Sequence, residues 1–252
     1  MKYFKYLFLV LFAVSCTKNN IGAPGFLTLQ FTHNWDGNSL TSADFNILKF
    51  TNEQGVELRI EGLRYLVSNV DLEKANGEHI LLKGYQLIDL LKPSSLEYQP
   101  SFEIPEGSYK NISFRFGFAD EDNIEGAYQD LNSELWNVPQ MLGGGYHYMQ
   151  FDGKFLDANQ NLSNFNYHAI RAVNRADPQN PIYEDTSFIV NLGALEIRNG
   201  TFVEVRMNVA EWFKNPNSWD LNLLNINLMS NFDAQLLMKA NGQTVFSRGT
   251  IY

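Results

Sequence analysis

Cysteine is almost absent: Cys16 is the only one in 252 residues. That excludes an intrachain disulfide, a Cys-x-x-Cys redox pair and the common cysteine-bound zinc sites. Histidine is scarce too, with four residues, and there is no His-Glu-x-x-His, no Gly-x-Ser-x-Gly elbow and no phosphate-binding glycine loop. The usual signatures of a hydrolase or a nucleotide enzyme are therefore missing, and no catalytic residue is assigned. No apolar run reaches the roughly 20 residues that a membrane-crossing helix needs. Positive charge is in deficit, with 19 Lys and Arg against 28 Asp and Glu for a net charge of −9. No basic cluster exists to neutralise phosphates, so nucleic acid is not an expected partner.

The start of the chain has a character of its own. Lys2 and Lys5 precede a short apolar run, Tyr6 to Val14, which stops at Ser15-Cys16 and passes into Thr17-Lys18-Asn19-Asn20. This is the layout of an export signal. Phe12-Ala13-Val14-Ser15-Cys16 resembles a bacterial lipobox, whose cysteine is acylated and becomes the first mature residue, although Ala13 stands where leucine is commoner. The expected organisation is a signal peptide over 1–15, a lipidated tether over 16–25 and one domain over 26–252. More than one acyl chain would hold that domain at a membrane almost permanently. The expected location is the outer membrane, with the domain facing the periplasm or the cell surface.

Within the domain, period-two alternation is the commonest signal. It is cleanest at Leu27, Leu29, Phe31 and His33, and returns at Phe114, Phe116 and Phe118 and at Val203, Val205, Met207 and Val209. Further strands are expected near 45–51, 56–73, 79–83, 146–155, 163–173, 186–193 and 232–246. Asn76-Gly77, Asn199-Gly200 and Asn241-Gly242 suit tight hairpins, because both residues tolerate positive φ. Short helical turns are expected near Tyr85 to Leu91 and Ile124 to Trp136, the second capped by Asn123. The fold class is all-β, an antiparallel β-sandwich with short helical turns; a barrel has the same pattern.

The histidines are the candidate ligands. His33 closes the apolar face of the first strand and points inward, where a hydrogen-bonded core histidine is the simpler reading. His147 follows Gly143-Gly144-Gly145; if that segment is a strand, His147, Met149 and Phe151 share a face, which pairs an imidazole with a thioether. Imidazole suits either oxidation state of copper, and a thioether favours Cu(I). A mixed aromatic and methionine core face explains the same residues. His168 alternates with Asn166 and Ile170 and has the same two readings. His79 follows the Asn76-Gly77 turn and is expected to be exposed. Asp120-Glu121-Asp122-Asn123 lacks calcium-loop spacing and reads as a solvated turn.

Several segments in fixed order resemble the MbnP-like copper-binding proteins. They include Leu29-Gln30-Phe31-Thr32-His33, Leu63-Arg64-Tyr65-Leu66-Val67-Ser68-Asn69-Val70, Tyr85-Gln86-Leu87-Ile88-Asp89, and Ile104-Pro105-Glu106-Gly107-Ser108-Tyr109 leading into Phe114-Arg115-Phe116-Gly117-Phe118. Later come Gly145-Tyr146-His147-Tyr148-Met149, Asp152-Gly153, Tyr167-His168, and Lys239-Ala240-Asn241 with Phe246. The resemblance implies a β-sandwich that binds copper in the periplasm or at the outer membrane, with His33 and His168 matching histidine-bearing strands and His147 or Met149 as supplements. It also implies a diheme peroxidase or an outer-membrane transport protein as partner, since some members carry a tryptophan oxidised to kynurenine at the copper site. Many members have tryptophans just before the Gly-Tyr strand, where this chain has Met141-Leu142-Gly143-Gly144-Gly145; Trp35 and Trp136 lie near the relevant segments. A metal-free lipoprotein that recruits a partner through aromatic, asparagine-rich loops is the rival expectation.

Overall fold

The computed structural model describes residues 24–252, so the expected signal peptide, Cys16 and most of the expected tether lie outside the described residues. Pro24 and Gly25 are already part of the fold, paired with Pro105 and Ile104.

Alternation becomes strand where one face is buried. Leu27–Trp35 points Leu27, Leu29, Phe31, His33 and Trp35 into the interior and lies within a five-stranded sheet. Thr201–Asn208 is its neighbour on one edge and carries Phe246–Ile251 beyond it. The seven-stranded sheet is built around Glu57–Lys74, which at 18 residues is long enough to serve two successive partners. Its first half pairs with Met149–Leu156, which in turn pairs with Leu162–Ala169. Its second half pairs with Gly107–Phe116, bordered by Phe188–Ile197, and His79–Asp89 also pairs with it. The two sheets are separate, so this is a sandwich and not a closed barrel.

Pairing is antiparallel throughout both sheets except between Thr201–Asn208 and Leu27–Trp35, which run parallel. A tight turn cannot join parallel neighbours, and here the connection between them contains the whole seven-stranded sheet. Phe31, Tyr65, Phe114, Phe116 and Phe246 interlock between the layers, mostly edge to face. Each fully buried phenylalanine contributes about 1.5–3 kcal/mol from area removed from water.

Several expectations need correction. Asn199-Gly200 is not a hairpin turn, since it joins Phe188–Ile197 in the seven-stranded sheet to Thr201–Asn208 in the five-stranded one. Residues 232–246 are not a strand: Phe232–Val245 is an α-helix, so Asn241-Gly242 is not a hairpin turn. Asn231 caps it by accepting a hydrogen bond from Ala234 N at 3.1 Å, and Ala234, Met238, Asn241, Gly242 and Val245 bury at helical spacing. The expected turn at Tyr85 to Leu91 is largely the continuation of the His79–Asp89 strand. The expected helix at Ile124 to Trp136 shrinks to Gln129–Ser133, with Tyr128 and not Asn123 at its N-cap position and no side chain capping it.

Candidate metal centre

A long covering segment leaves and rejoins the seven-stranded sheet at one residue. Gly117 N donates to Leu66 O, and Leu66 N donates to Tyr148 O, each at 2.8 Å. Gly117 has φ +80, and a Cβ there would lie 2.6 Å from the Tyr148 ring, so the junction requires glycine. Between these ends the chain folds over the sheet face that points away from the sandwich interior. Tyr85, Phe118, Tyr128 and Tyr146 form an aromatic cluster under it. Asn123 pins the returning end, accepting from Tyr146 N at 2.8 Å and donating to Tyr148 Oη at 3.2 Å.

Strand register assigns the faces. Gln150 stands opposite both Arg64 and His168, whereas Met149 stands opposite both Tyr65 and Ala169. Side chains alternate along a strand, so Arg64, Gln150, Asp152 and His168 share the outer face and Met149 and Tyr65 the inner one. The strand begins only at Met149, and the chain bends at Tyr148. His147 is therefore released from the alternation that would have grouped it with Met149, and it lies beside His168.

The two imidazole rings meet edge to face with centroids 5.4 Å apart. A small bridge between Asn137 and Tyr146 brings Trp136 alongside, its ring 5.6 Å from that of His147. The Trp136 carbonyl accepts from His147 N at 3.0 Å and lies 2.9 Å from His147 Nδ1. A carbonyl only accepts, so Nδ1 carries the proton and Nε2 holds a lone pair. That Nε2 is buried with no partner, and so is Trp136 Nε1. A buried unpaired polar atom costs about 1–3 kcal/mol, so two in adjoining residues call for an explanation.

His168 is held in the complementary way. Its Nε2 lies 2.8 Å from Asp152 Oδ1, to which Asn166 also donates at 2.6 Å. Burial alone raises the Asp152 carboxyl, but hydrogen bonds from His168 and Asn166 and the charges of His168 and Arg64 outweigh it and hold it below the usual carboxylate range. An ionised carboxylate accepts a hydrogen bond from Nε2–H, and in the neutral tautomer of His168 that leaves the lone pair on Nδ1. Loss of solvent pushes His147 down to about 4, the charges of His168 and Arg64 add to this, and the Trp136 carbonyl and Asp152 oppose it. His147 is thus neutral at pH 7, the form that binds a metal. The Arg64 guanidinium lies 4.9 Å over the Trp136 ring and bonds to Gln150.

The separation of the two rings is one that a shared copper ion allows. A metal about 2 Å from a ring nitrogen lies about 3 Å from that ring's centroid, so two rings on one ion keep centroids about 4.5–6 Å apart. The observed separation falls in that interval. Among the described residues no group of three or more His, Cys, Asp or Glu is arranged to hold a metal, and Asp152 serves to orient His168. The protein donors of such a site are therefore two imidazoles.

The other sequence candidates lie elsewhere. His33 is inside the sandwich, its Nε2 3.0 Å from Tyr65 Oη, and desolvation pushes it down to about 3. Because Tyr65 is on the inner face and His168 on the outer, the sheet separates His33 from His168 and does not bring them together on one ion. Met149 is fully buried on the inner face, away from the imidazole pair. His79 is exposed and paired with Asp71 at 2.7 Å. Trp35 packs on Phe50 and Phe213 in the interior, and Trp212 and Trp219 pack on Tyr167.

A sequence profile of the MbnP family matches residues 24–230, most of the chain. The chain belongs to the MbnP family. A solved structure of MbnP from Methylosinus trichosporium is similar in fold, with a TM-score of 0.52 and 12% identity over 79% of this chain and 80% of that one. No curated protein matches in sequence. The matched MbnP span contains His33, Trp136, His147 and His168 and ends just before the Phe232–Val245 helix.

Proposed function

We propose that this MbnP-family protein binds one copper ion through His147 and His168, buffering or delivering the metal without catalysing a reaction. The observation that carries the reading is the buried, unpaired Nε2 of His147 in a ring that meets His168. Asp152 and the Trp136 carbonyl fix the two rings, so little ordering remains when the metal arrives. Trp136 is the tryptophan adjoining the pair, and we assign to it the place that a diheme peroxidase partner would modify. Equilibrium competition against a chromogenic copper chelator tests the site. Wild-type protein should take up one ion per chain, and His147→Ala and His168→Ala should each lose it; a metal-depleted, folded protein with no copper affinity tighter than about 1 mM would sink the proposal.

Export and acylation at Cys16 form the second element of the proposal, supported by the Lys2 to Cys16 pattern. The anchored domain would stand at the outer membrane, in reach of a transport partner. Among the described residues no helix is long and apolar enough to cross a membrane. Cys16→Ser should leave the protein in the soluble fraction after cell breakage, and failure of labelled palmitate to enter wild-type protein would refute acylation.

A further inference from the structure

His33 is left without a role by the copper site, and its surroundings differ from those of an ordinary core histidine. A cavity of about 320 Å³ opens beside it, walled by Phe31, Leu40, Leu90, Pro93 and Leu96. That volume is at the small end of the roughly 300–1,000 Å³ of small-molecule pockets. No charged residue lines the cavity, and four of its lining residues are Ser or Thr. His33 is only 6% exposed. Its Nε2 is engaged with Tyr65 Oη, and Nδ1 makes no hydrogen bond. His33 is itself one of the residues that line the cavity, so its unpaired nitrogen is the ring atom left to meet a ligand there.

We propose that this cavity is a second binding site, independent of the copper reading, for a small neutral and largely apolar molecule that carries one hydroxyl, such as a simple phenol or alcohol. The apolar walls favour the body of such a ligand, and the absence of charge disfavours an ion. The hydroxyl follows from the His33–Tyr65 pair. Tyr65 Oη either donates to Nε2 or accepts from it, so Nδ1 presents a proton in one case and a lone pair in the other. A hydroxyl answers both, whereas a ligand without a polar group leaves Nδ1 unpaired. The Tyr65 hydroxyl is held on the central strand and fixes the imidazole before any ligand arrives.

Titration of the metal-free domain with 4-methylphenol and, separately, with toluene, followed by amide chemical shifts, tests this. The expected result is saturable binding that moves the amides of residues 39–42 and 90–96, with 4-methylphenol at least tenfold tighter than toluene. His33→Leu should bring 4-methylphenol to the affinity of toluene, and Leu96→Trp should block both. The wild-type preference and the Leu96→Trp variant decide the matter even if His33→Leu does not fold. No saturation by either probe, equal affinity for the two, or a preference that survives His33→Leu would overturn the proposal. Copper bound at His33 and removed by His33→Leu, with no binding of 4-methylphenol, would overturn it in favour of a metal site. Copper affinity at His147 and His168 should not change in His33→Leu, so failure of either proposal is distinguishable from failure of the other.

Discussion

His33 and His147 are both buried neutral imidazoles, but they sit on opposite sides of the same sheet. His33 has a partner supplied by regular secondary structure, the Tyr65 hydroxyl of a facing strand. His147 is held by a loop carbonyl and has an unpaired nitrogen next to a second imidazole. The first environment is a core in which one ring nitrogen is paired and a cavity lies at the margin. The second carries a stability penalty of about 1–3 kcal/mol that a bound metal would relieve. Burial alone does not identify a metal site; the destination of each ring nitrogen does.

The largest expected contrast is in copper affinity. His147→Ala and His168→Ala should each weaken binding more than about 100-fold, and the double variant should bind hardly worse than either single one, because the residues act as one unit. His33→Leu should leave copper affinity within about threefold of wild type. A copper loss for His33→Leu equal to that for His147→Ala would erase the distinction between the two environments.

A pH titration of metal-free stability addresses both histidines together. Their folded-state values lie below the ordinary 6.5, at about 4 for His147 and about 3 for His33. Between those values and 6.5 the unfolded chain binds more protons than the folded one, so stability is fully present above 6.5 and is lost as the pH falls towards 4 and then 3. Urea unfolding from pH 7.5 to 4.5 should show that slope. His33→Leu and His147→Leu should each flatten it, and a slope unchanged in both would contradict the burial assigned to them.

Smaller effects sharpen the picture. Asp152→Asn should weaken copper by about 10–100-fold, since the amide no longer draws the His168 proton to one side; an unchanged affinity in the same competition titration would remove Asp152 from the site. Tyr65→Phe should lower unfolding free energy by about 1–2 kcal/mol and leave copper unaffected. His79→Ala, at an exposed ion pair, should change stability by less than about 0.5 kcal/mol and copper affinity not at all.

The sandwich was legible because alternation at Leu27 to His33 and Val203 to Val209 directly reports one buried face. The parallel pairing of those two segments was not, since alternation carries no strand order. The Phe232–Val245 helix was misread because its Asn241-Gly242 pair is a turn signal out of context. In the structure Asn241 instead donates to Trp212 O and Asn217 O, both at 2.9 Å, and Gly242 sits where a Cβ would meet the rings of Phe188 and Trp212. At the candidate site, inward placement of His33 followed from period two and was seen. The meeting of His147 with His168 could not follow from it, because the bend at Tyr148 interrupts the period just before the strand begins. Asp152 and His168 lie near each other on one hairpin, so their pairing was within reach of a register argument centred on the Asp157-to-Asn161 turn. Trp136 comes from a distant loop, and no local signal links it to His147.

Histidine side-chain ¹⁵N spectra recorded while Cu(I) is added locate the metal, because each imidazole nitrogen reports separately and the ion is diamagnetic. His147 Nε2 and His168 Nδ1 should shift together and saturate at one equivalent, while His33 and His79 stay where they were. Saturation at His33 with His147 and His168 unmoved would contradict it.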